Sequence, residues 1–431
     1  MRPFFDLLKN NRNYRSLWMG QVVSEIGDHF NTISVFSLAM AATGSGLVVS
    51  GIMLSRAIPA VMAGPLAGVL LDRMDRKRIM IASDVVRAVV ALGFILAERS
   101  GAITPLYFLS GMLMFASPFF TSGRSSILPS ITTKEELHTA NSLTQTTNWM
   151  ALTIGTMLGG MSVMHFGYDW AFLFNAFSFS FSAFCVARIR GGRGELRAKR
   201  KMAADGRAVR PWTEYVQGLR YIRGTPLILG IGMIHVGWAT GGGAAQILFT
   251  LFGVEVFNRG AAGIGILWGC AGIGLLVGGA LGHKIGSRVA FTEYKRTISI
   301  CYIIHGAAYV IFSQMQNFWA AAFFIGLSRA GVAVSSVLNF SQLLRHVDDE
   351  YRGRVFSTIE SLTWSTMMLS MMGAGVASQY WGPRTIGAVA GLLSSTTAFY
   401  WAWANWSGRL PEPASHDVKE DEVEVHEDRI S

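Results

Sequence analysis

Long apolar runs broken by short polar connections fill the chain from residue 16 to residue 406. A membrane-spanning helix needs about 20 mostly apolar residues. Twelve stretches reach that length: 16–42, 47–71, 78–97, 103–123, 141–165, 169–189, 226–251, 260–282, 294–313, 317–339, 354–379 and 384–406. Several contain Gly or Pro, which spanning helices tolerate because neighbouring groups re-satisfy the backbone. The pattern predicts an all-α membrane protein of twelve transmembrane helices in two six-helix bundles. Six spans precede the polar stretch GGRGELRAKRKMAADGRAVRP and six follow it. The expected organisation is a first bundle over 1–189, a linker over 190–225, a second bundle over 226–408 and an acidic, disordered tail over 409–431. Inside the linker, Trp212, Tyr215, Leu219 and Ile222 fall at i, i+3, i+7 and i+10. That spacing predicts an amphipathic helix lying on the membrane face.

Composition agrees with the pattern and charge adds an orientation. The chain is 51% hydrophobic and 15% charged, whereas soluble domains carry about 25% charged residues. Its net charge is +10. The basic residues cluster in alternate connections: Arg73, Arg76, Lys77 and Arg78; Lys134; the stretch 188–223; Lys284 and Arg288; Arg345, Arg352 and Arg354. The other connections hold only Arg99, Arg259 and Arg384. The positive-inside rule then puts both termini in the cytoplasm. No soluble basic domain is left over to bind nucleic acid. The opening MRPFFDLLKNNRNYRSLW does not read as a cleavable signal peptide, because charges persist to Arg15 and no cleavage site follows a short apolar core.

Several chemistries lack their residues. The three cysteines, Cys185, Cys270 and Cys301, sit in apolar runs without CxxC spacing, so they read as buried thiols and not as metal ligands. There is no GxxxxGK[ST] phosphate loop, no HExxH and no GxSxG. Gly272-x-Gly274 lies within a span and reads as helix packing, not as part of a dinucleotide site. The chain reads as a non-enzyme without metal or cofactor.

The connection after the second span, GVLLDRMDRKR at 68–78, is denser in charge than a topological anchor requires. Positive residues orient a hairpin, but acids contribute little to orientation, so Asp72 and Asp75 need another account. The run Gly68-x-x-x-Asp72-Arg73-x-Asp75-Arg76-Lys77-Arg78 resembles the signature loop of the major facilitator superfamily, with Asp75 where the usual pattern has Gly. The stretches YRSLWMGQVVSEIGDHFNT, SRAIPAVMAGPLAGVLLDR, KEELHTANSLTQ, WAFLFNAFSFSFSAF and VDDEYRGRVFSTI are similar to its branch of bacterial siderophore exporters and multidrug efflux proteins. The resemblance implies a secondary transporter of the bacterial inner membrane, with a small-molecule substrate, protons and the lipid bilayer as partners; twelve spans suffice for a monomer. It also implies a conformational latch of Gly68, Asp72, Arg73, Arg76 and Asp84. In that latch Asp72 faces the helix start near Gly353, Arg354 and Val355, and Arg76 pairs with an acid such as Asp84. Gly155-Thr156-Met157-Leu158-Gly159-Gly160 resembles the antiporter motif GPxxGG with Thr156 in place of Pro, and is equally a small-residue packing stripe.

A charge at the centre of a spanning helix costs about 2.5–3.5 kcal/mol on insertion scales, so the charges within spans need partners or a task. Gln21, Glu25, Asp28 and Thr32 share one face of the first span at i, i+4, i+7 and i+11. Asp28 and Glu25 are the candidates for proton coupling; the other reading of Asp28 is a static pair with Arg56. Arg329 is either a contact for an anionic substrate group or a partner of a first-span acid. With Gln21, Thr32 and Arg56, the residues Phe119, His235, Trp238 and Gln246 complete the expected cavity set, with lipid contact or packing as the other reading of the aromatics. The function implied is proton-driven export of an amphipathic small molecule, such as a drug or siderophore-like metabolite. A lysophospholipid transporter and a transport-inactive sensor are the alternatives.

Overall fold

The computed structural model describes residues 2–190, 211–286 and 288–412, and among these it has fourteen α-helices and no β-strand. They are α1 (Arg2–Asn10), α2 (Arg12–Thr43), α3 (Gly46–Arg73), α4 (Arg76–Ser100), α5 (Thr104–Ile131), α6 (Lys134–Phe166) and α7 (Tyr168–Ala187). Then follow α8 (Pro211–Gly224), α9 (Pro226–Leu251), α10 (Gly260–Gly286), α11 (Phe291–Gln314), α12 (Phe318–His346), α13 (Asp349–Ala377) and α14 (Pro383–Trp406). A π-helical turn, Phe252–Val256, prolongs α9. Each expected span falls on one long helix. Among the described residues seven helices are long and apolar enough to cross a membrane; α2, α5, α6, α13 and α14 are as long but more polar. The linker residues 191–210 and the tail residues 413–431 lie outside the described residues.

Local chemistry explains the helix ends. Asp75 sits in extended backbone before α4, and its carboxylate accepts from the amides of Lys77 at 2.9 Å and Arg78 at 3.3 Å. It is an N-cap, which accounts for an acid where the family pattern has Gly. Thr133 and Glu136 form a capping box on α6. Gly44 and Gly101 close α2 and α4 at φ of 59° and 65°, a left-handed conformation that favours Gly. The sequence pattern did not anticipate α1. Asn11, between α1 and α2, caps α2 through the amide of Tyr14 and donates to the Ile131 carbonyl at 2.7 Å and to Glu136 at 3.0 Å.

The described residues fall into two compact units. The first takes α1–α7 with the stretches Gln246–Gly272 and Met371–Pro383. In it α2 packs on α6 and α7, α3 on α5, and α4 on α5 and α7. The GTMLGG stripe is a packing stripe with two faces. A Cβ at Gly155 would lie 3.2 Å from the Ile26 backbone, and one at Gly159 would lie 2.9 Å from Phe30 Cα, both on α2. One at Gly160 would collide with the Ala261 carbonyl of α10, and one at Gly265 with the Thr156 carbonyl. Thr156 turns its hydroxyl back to the Leu152 carbonyl at 2.7 Å.

The second unit takes α8, α9 as far as Ala245, the stretch Ile273–Ser370 and the residues from Arg384 onward. Its core joins Ile222, Leu227, Ile231, Tyr294, Ile298, Ile359 and Trp401. The expected amphipathic helix is α8, and it is docked. A Cβ at Gly218 would meet Thr358 Oγ1 at 2.5 Å and the Arg354 carbonyl at 2.8 Å. Tyr221 stacks on Tyr351 and donates to Asp348 Oδ2 at 3.1 Å. Gly274 lies on the Gly326 carbonyl, in keeping with packing rather than dinucleotide binding. Both units turn large apolar side chains outward, among them Val89, Leu96, Phe108 and Phe177 in the first and Trp319, Phe323, Leu369 and Phe399 in the second. Water-soluble monomers rarely expose apolar surface on that scale.

Candidate functional site

The polar face of α2 lies inside the first unit and meets charges from three other helices. Glu25 is held from several sides. Arg124 of α5 reaches it at 3.2 Å and Gln21 donates to it at 2.9 Å. Asn148 of α6, with its amide nitrogen turned toward the carboxylate, donates at 2.8 Å to each oxygen.

One turn on, the arrangement differs. Arg87 of α4 lies between the rings of Phe120 and Phe179, 4.8 and 4.3 Å from their centroids. Its guanidinium is paired closely with Asp84, which is fully buried. The same guanidinium reaches Asp28 Oδ2 only at 3.9 Å, the outer limit of an ion pair. Asp28 Oδ1 is buried and has no hydrogen-bond partner among the described residues, as is true of Asp84 Oδ2, Arg87 Nε and Arg56 Nη1. A buried polar atom left unpaired costs about 1–3 kcal/mol, more when charged. Asp28 is therefore the least satisfied acid on this face.

Two suggested pairings are arranged differently. Asp28 Oδ2 lies 3.9 Å from Arg87, while Arg56, within electrostatic reach of Asp28, donates to Thr32 Oγ1 at 2.9 Å. Asp84 pairs with Arg87 and not Arg76, because it lies on the buried face of α4 while Arg76, at the start of that helix, donates to the Ser126 carbonyl at 2.7 Å. The signature loop is knitted into its own unit. Lys77 donates to the carbonyls of Ala187 at 2.7 Å and Ile189 at 2.9 Å, the end of α7 where a cation suits the helix dipole. Arg73 is exposed, and the Asp72 side chain lies outside the described residues. Among the described residues a Cβ at Gly68 would meet nothing within 4 Å.

The remaining candidates are dispersed. Phe119 is half-buried on α5, its ring 5.9 Å from that of Phe115. Gln246 is half-buried within α9. In the second unit, His235 bonds to its own helix at the Ile231 carbonyl, 2.9 Å away, and Trp238 packs beside the core with its Nε1 buried and unpartnered among the described residues. Arg329 is buried within electrostatic reach of Tyr309 and His305. His305 was not anticipated. It is fully buried, with Nδ1 2.7 Å from Ser328 Oγ and Nε2 3.2 Å from Ser394 Oγ, and so bridges α11, α12 and α14. The Arg87–Asp84 pair was missed in favour of Arg76, although its i, i+3 spacing on a helix is a signal for it; a lone His in an apolar run gives no comparable signal. Among the described residues no cluster of His, Cys, Asp or Glu could hold a metal ion.

Comparison with known proteins matches residues 17–367 to the family model of the Major Facilitator Superfamily. The chain is 25% identical over 379 residues to the putative bacilysin exporter BacE of Bacillus subtilis, covering 86% of this chain and 90% of that one. It is 23% identical over 364 residues to macrolide efflux protein A of Streptococcus pyogenes, covering 83% and 86%. Among solved structures, a bacterial homologue of the iron transporter ferroportin, in its inward-facing state, aligns at TM-score 0.68 and 16% identity, covering 91% and 98%. The nucleoside transporter NupG aligns at TM-score 0.67 and 12% identity, covering 91% and 99%.

Proposed function

The chain belongs to the major facilitator superfamily and is a membrane transporter, not an enzyme; from that premise we propose that it exports an amphipathic small molecule against an inward flow of protons. The names of its relatives, an exporter and an efflux protein, support the outward direction. In this reading twelve helices span a bacterial inner membrane, both termini are cytoplasmic, and the halves 1–189 and 226–408 alternate access to a site at mid-membrane. The cargo is of the drug or siderophore-like class.

One observation carries the coupling: Asp28 is the acid on α2 that the protein leaves loosely held. Glu25 has three partners and Asp84 holds the Arg87 guanidinium closely, whereas Asp28 has one ion pair, at 3.9 Å, a second guanidinium, Arg56, only within electrostatic reach, and a bare Oδ1. A proton taken up at Asp28 neutralises it and ends its hold on Arg87, which stays with Asp84. Loss of the proton restores the Asp28 charge. One charge moving through about 100 mV yields about 2.3 kcal/mol, a roughly fifty-fold concentration ratio.

Inverted vesicles with an imposed pH gradient test this. Cationic drugs, siderophores and lysolipids are added in turn to wild type and Asp28→Asn. A compound that dissipates the gradient with wild type alone, at equal protein level, is the expected result. Dissipation by both proteins removes Asp28 from the coupling. A response confined to lysolipids makes the protein a lipid carrier, and binding without flux makes it a sensor.

A further inference from the structure

The second unit contains a cavity of about 490 Å³ whose walls belong to α8, α9, α13 and α14. Leu219 and Ile222 of α8, Leu229 and Met233 of α9, and Ile359 and Leu362 of α13 give it an almost wholly apolar lining. Arg223 is the one charged residue among those that line it.

We infer that this cavity seats one acyl chain of an anionic phospholipid, with the lipid phosphate on Arg223. Three observations carry this. The first is length. From Leu229 to Thr240 the wall of α9 advances by eleven helical rises, about 16 Å at about 1.5 Å each. Half of a hydrocarbon core of about 30 Å is about 15 Å, so this wall is about as long as one leaflet is thick.

The second is charge. Arg223 lies in the last turn of α8, exposed, just before α9 begins at Pro226, so it marks the level where an amphipathic surface helix meets a spanning one. Among the described residues no carboxylate pairs with it. A guanidinium at that level presents parallel donors to a phosphate, and exposed Arg220 on the same helix adds to the attraction for an anionic surface.

The third is shape. A Cβ at Gly232 would make ordinary contact with Ile359 at 3.7 Å without a clash, so close packing does not demand Gly there and its absent side chain leaves a methyl-sized space in the cavity wall. An acyl chain in the cavity touches α8, α9 and α13 together and ties the linker helix to the bundle. On the orientation proposed above the lipid comes from the cytoplasmic leaflet; binding itself does not depend on the transport reading.

Native mass spectrometry of the full chain, released from detergent with graded phosphatidylglycerol or phosphatidylcholine of the same acyl chains, tests the site. Wild type is expected to retain phosphatidylglycerol at least tenfold more strongly. Arg223→Gln should abolish the preference between the two lipids. Gly232→Leu should lose both, because its side chain grows into the cavity; Gly232→Val serves if the leucine variant does not fold. Lysophosphatidylglycerol should compete and glycerol phosphate should not. An unchanged preference in Arg223→Gln, retention of lipid by the Gly232 variant, or displacement by glycerol phosphate overturns the proposal.

Discussion

Asp28, Asp84 and Arg87 show how the same side-chain chemistry serves two ends within a few ångströms. Asp84 is fully buried and closely bound to Arg87, which is itself flanked by two aromatic rings. Removing one member of such a pair leaves a charge uncompensated, at about 3–5 kcal/mol. Asp84→Asn should therefore lower the unfolding temperature in detergent sharply and reduce the amount of folded protein. Asp28→Asn removes a contact at 3.9 Å and should leave unfolding nearly unchanged. Equal thermal losses in the two variants would show that Asp28 is structural and remove it from coupling. The sequence singled out Asp28 by its place on a polar helix face. It could not say which arginine answers it, because Arg56 and Arg87 both lie in apolar runs and only the packing of α2, α3 and α4 decides between them.

At the scale of elements, the helices were legible because their apolar runs have the length of a membrane. Their ends were less so. Asp75 looked like a departure from a pattern until its carboxylate was seen on the first amides of α4. Replacing an N-cap by Ala costs about 0.5–2 kcal/mol, and by Gly only a few tenths. Asp75→Ala should speed hydrogen exchange in the first turn of α4, and Asp75→Gly should do so far less. Similar exchange in both variants would mean that the side chain does no capping. The short α1 escaped the reading because a nine-residue helix has no span-length signal.

Across the molecule, small residues set how closely the helices of the first unit approach. Gly265 lies on the Thr156 carbonyl, whereas a Cβ at Gly64 would meet nothing within 4 Å. Overpacking typically costs about 1–3 kcal/mol. Gly265→Val should broaden or abolish the monodisperse peak in size-exclusion chromatography while Gly64→Ala elutes as wild type; identical behaviour would show that this crossing yields readily. The stripe around Gly160 was visible in the sequence, but its partners on α10 were not, since small residues recur on most of the spans and spacing alone does not pair them.

The anchoring of Lys77 also sets a clock. Its ammonium binds the carbonyl of Ala187, 110 positions further along the chain. At the ribosome's about 5–20 residues per second, the connection between α3 and α4 waits roughly 5–20 s after it is made before that partner exists. Through that interval the hairpin carries its charges without the carbonyls that later hold them. The start of α4 is pinned only when the end of α7 arrives.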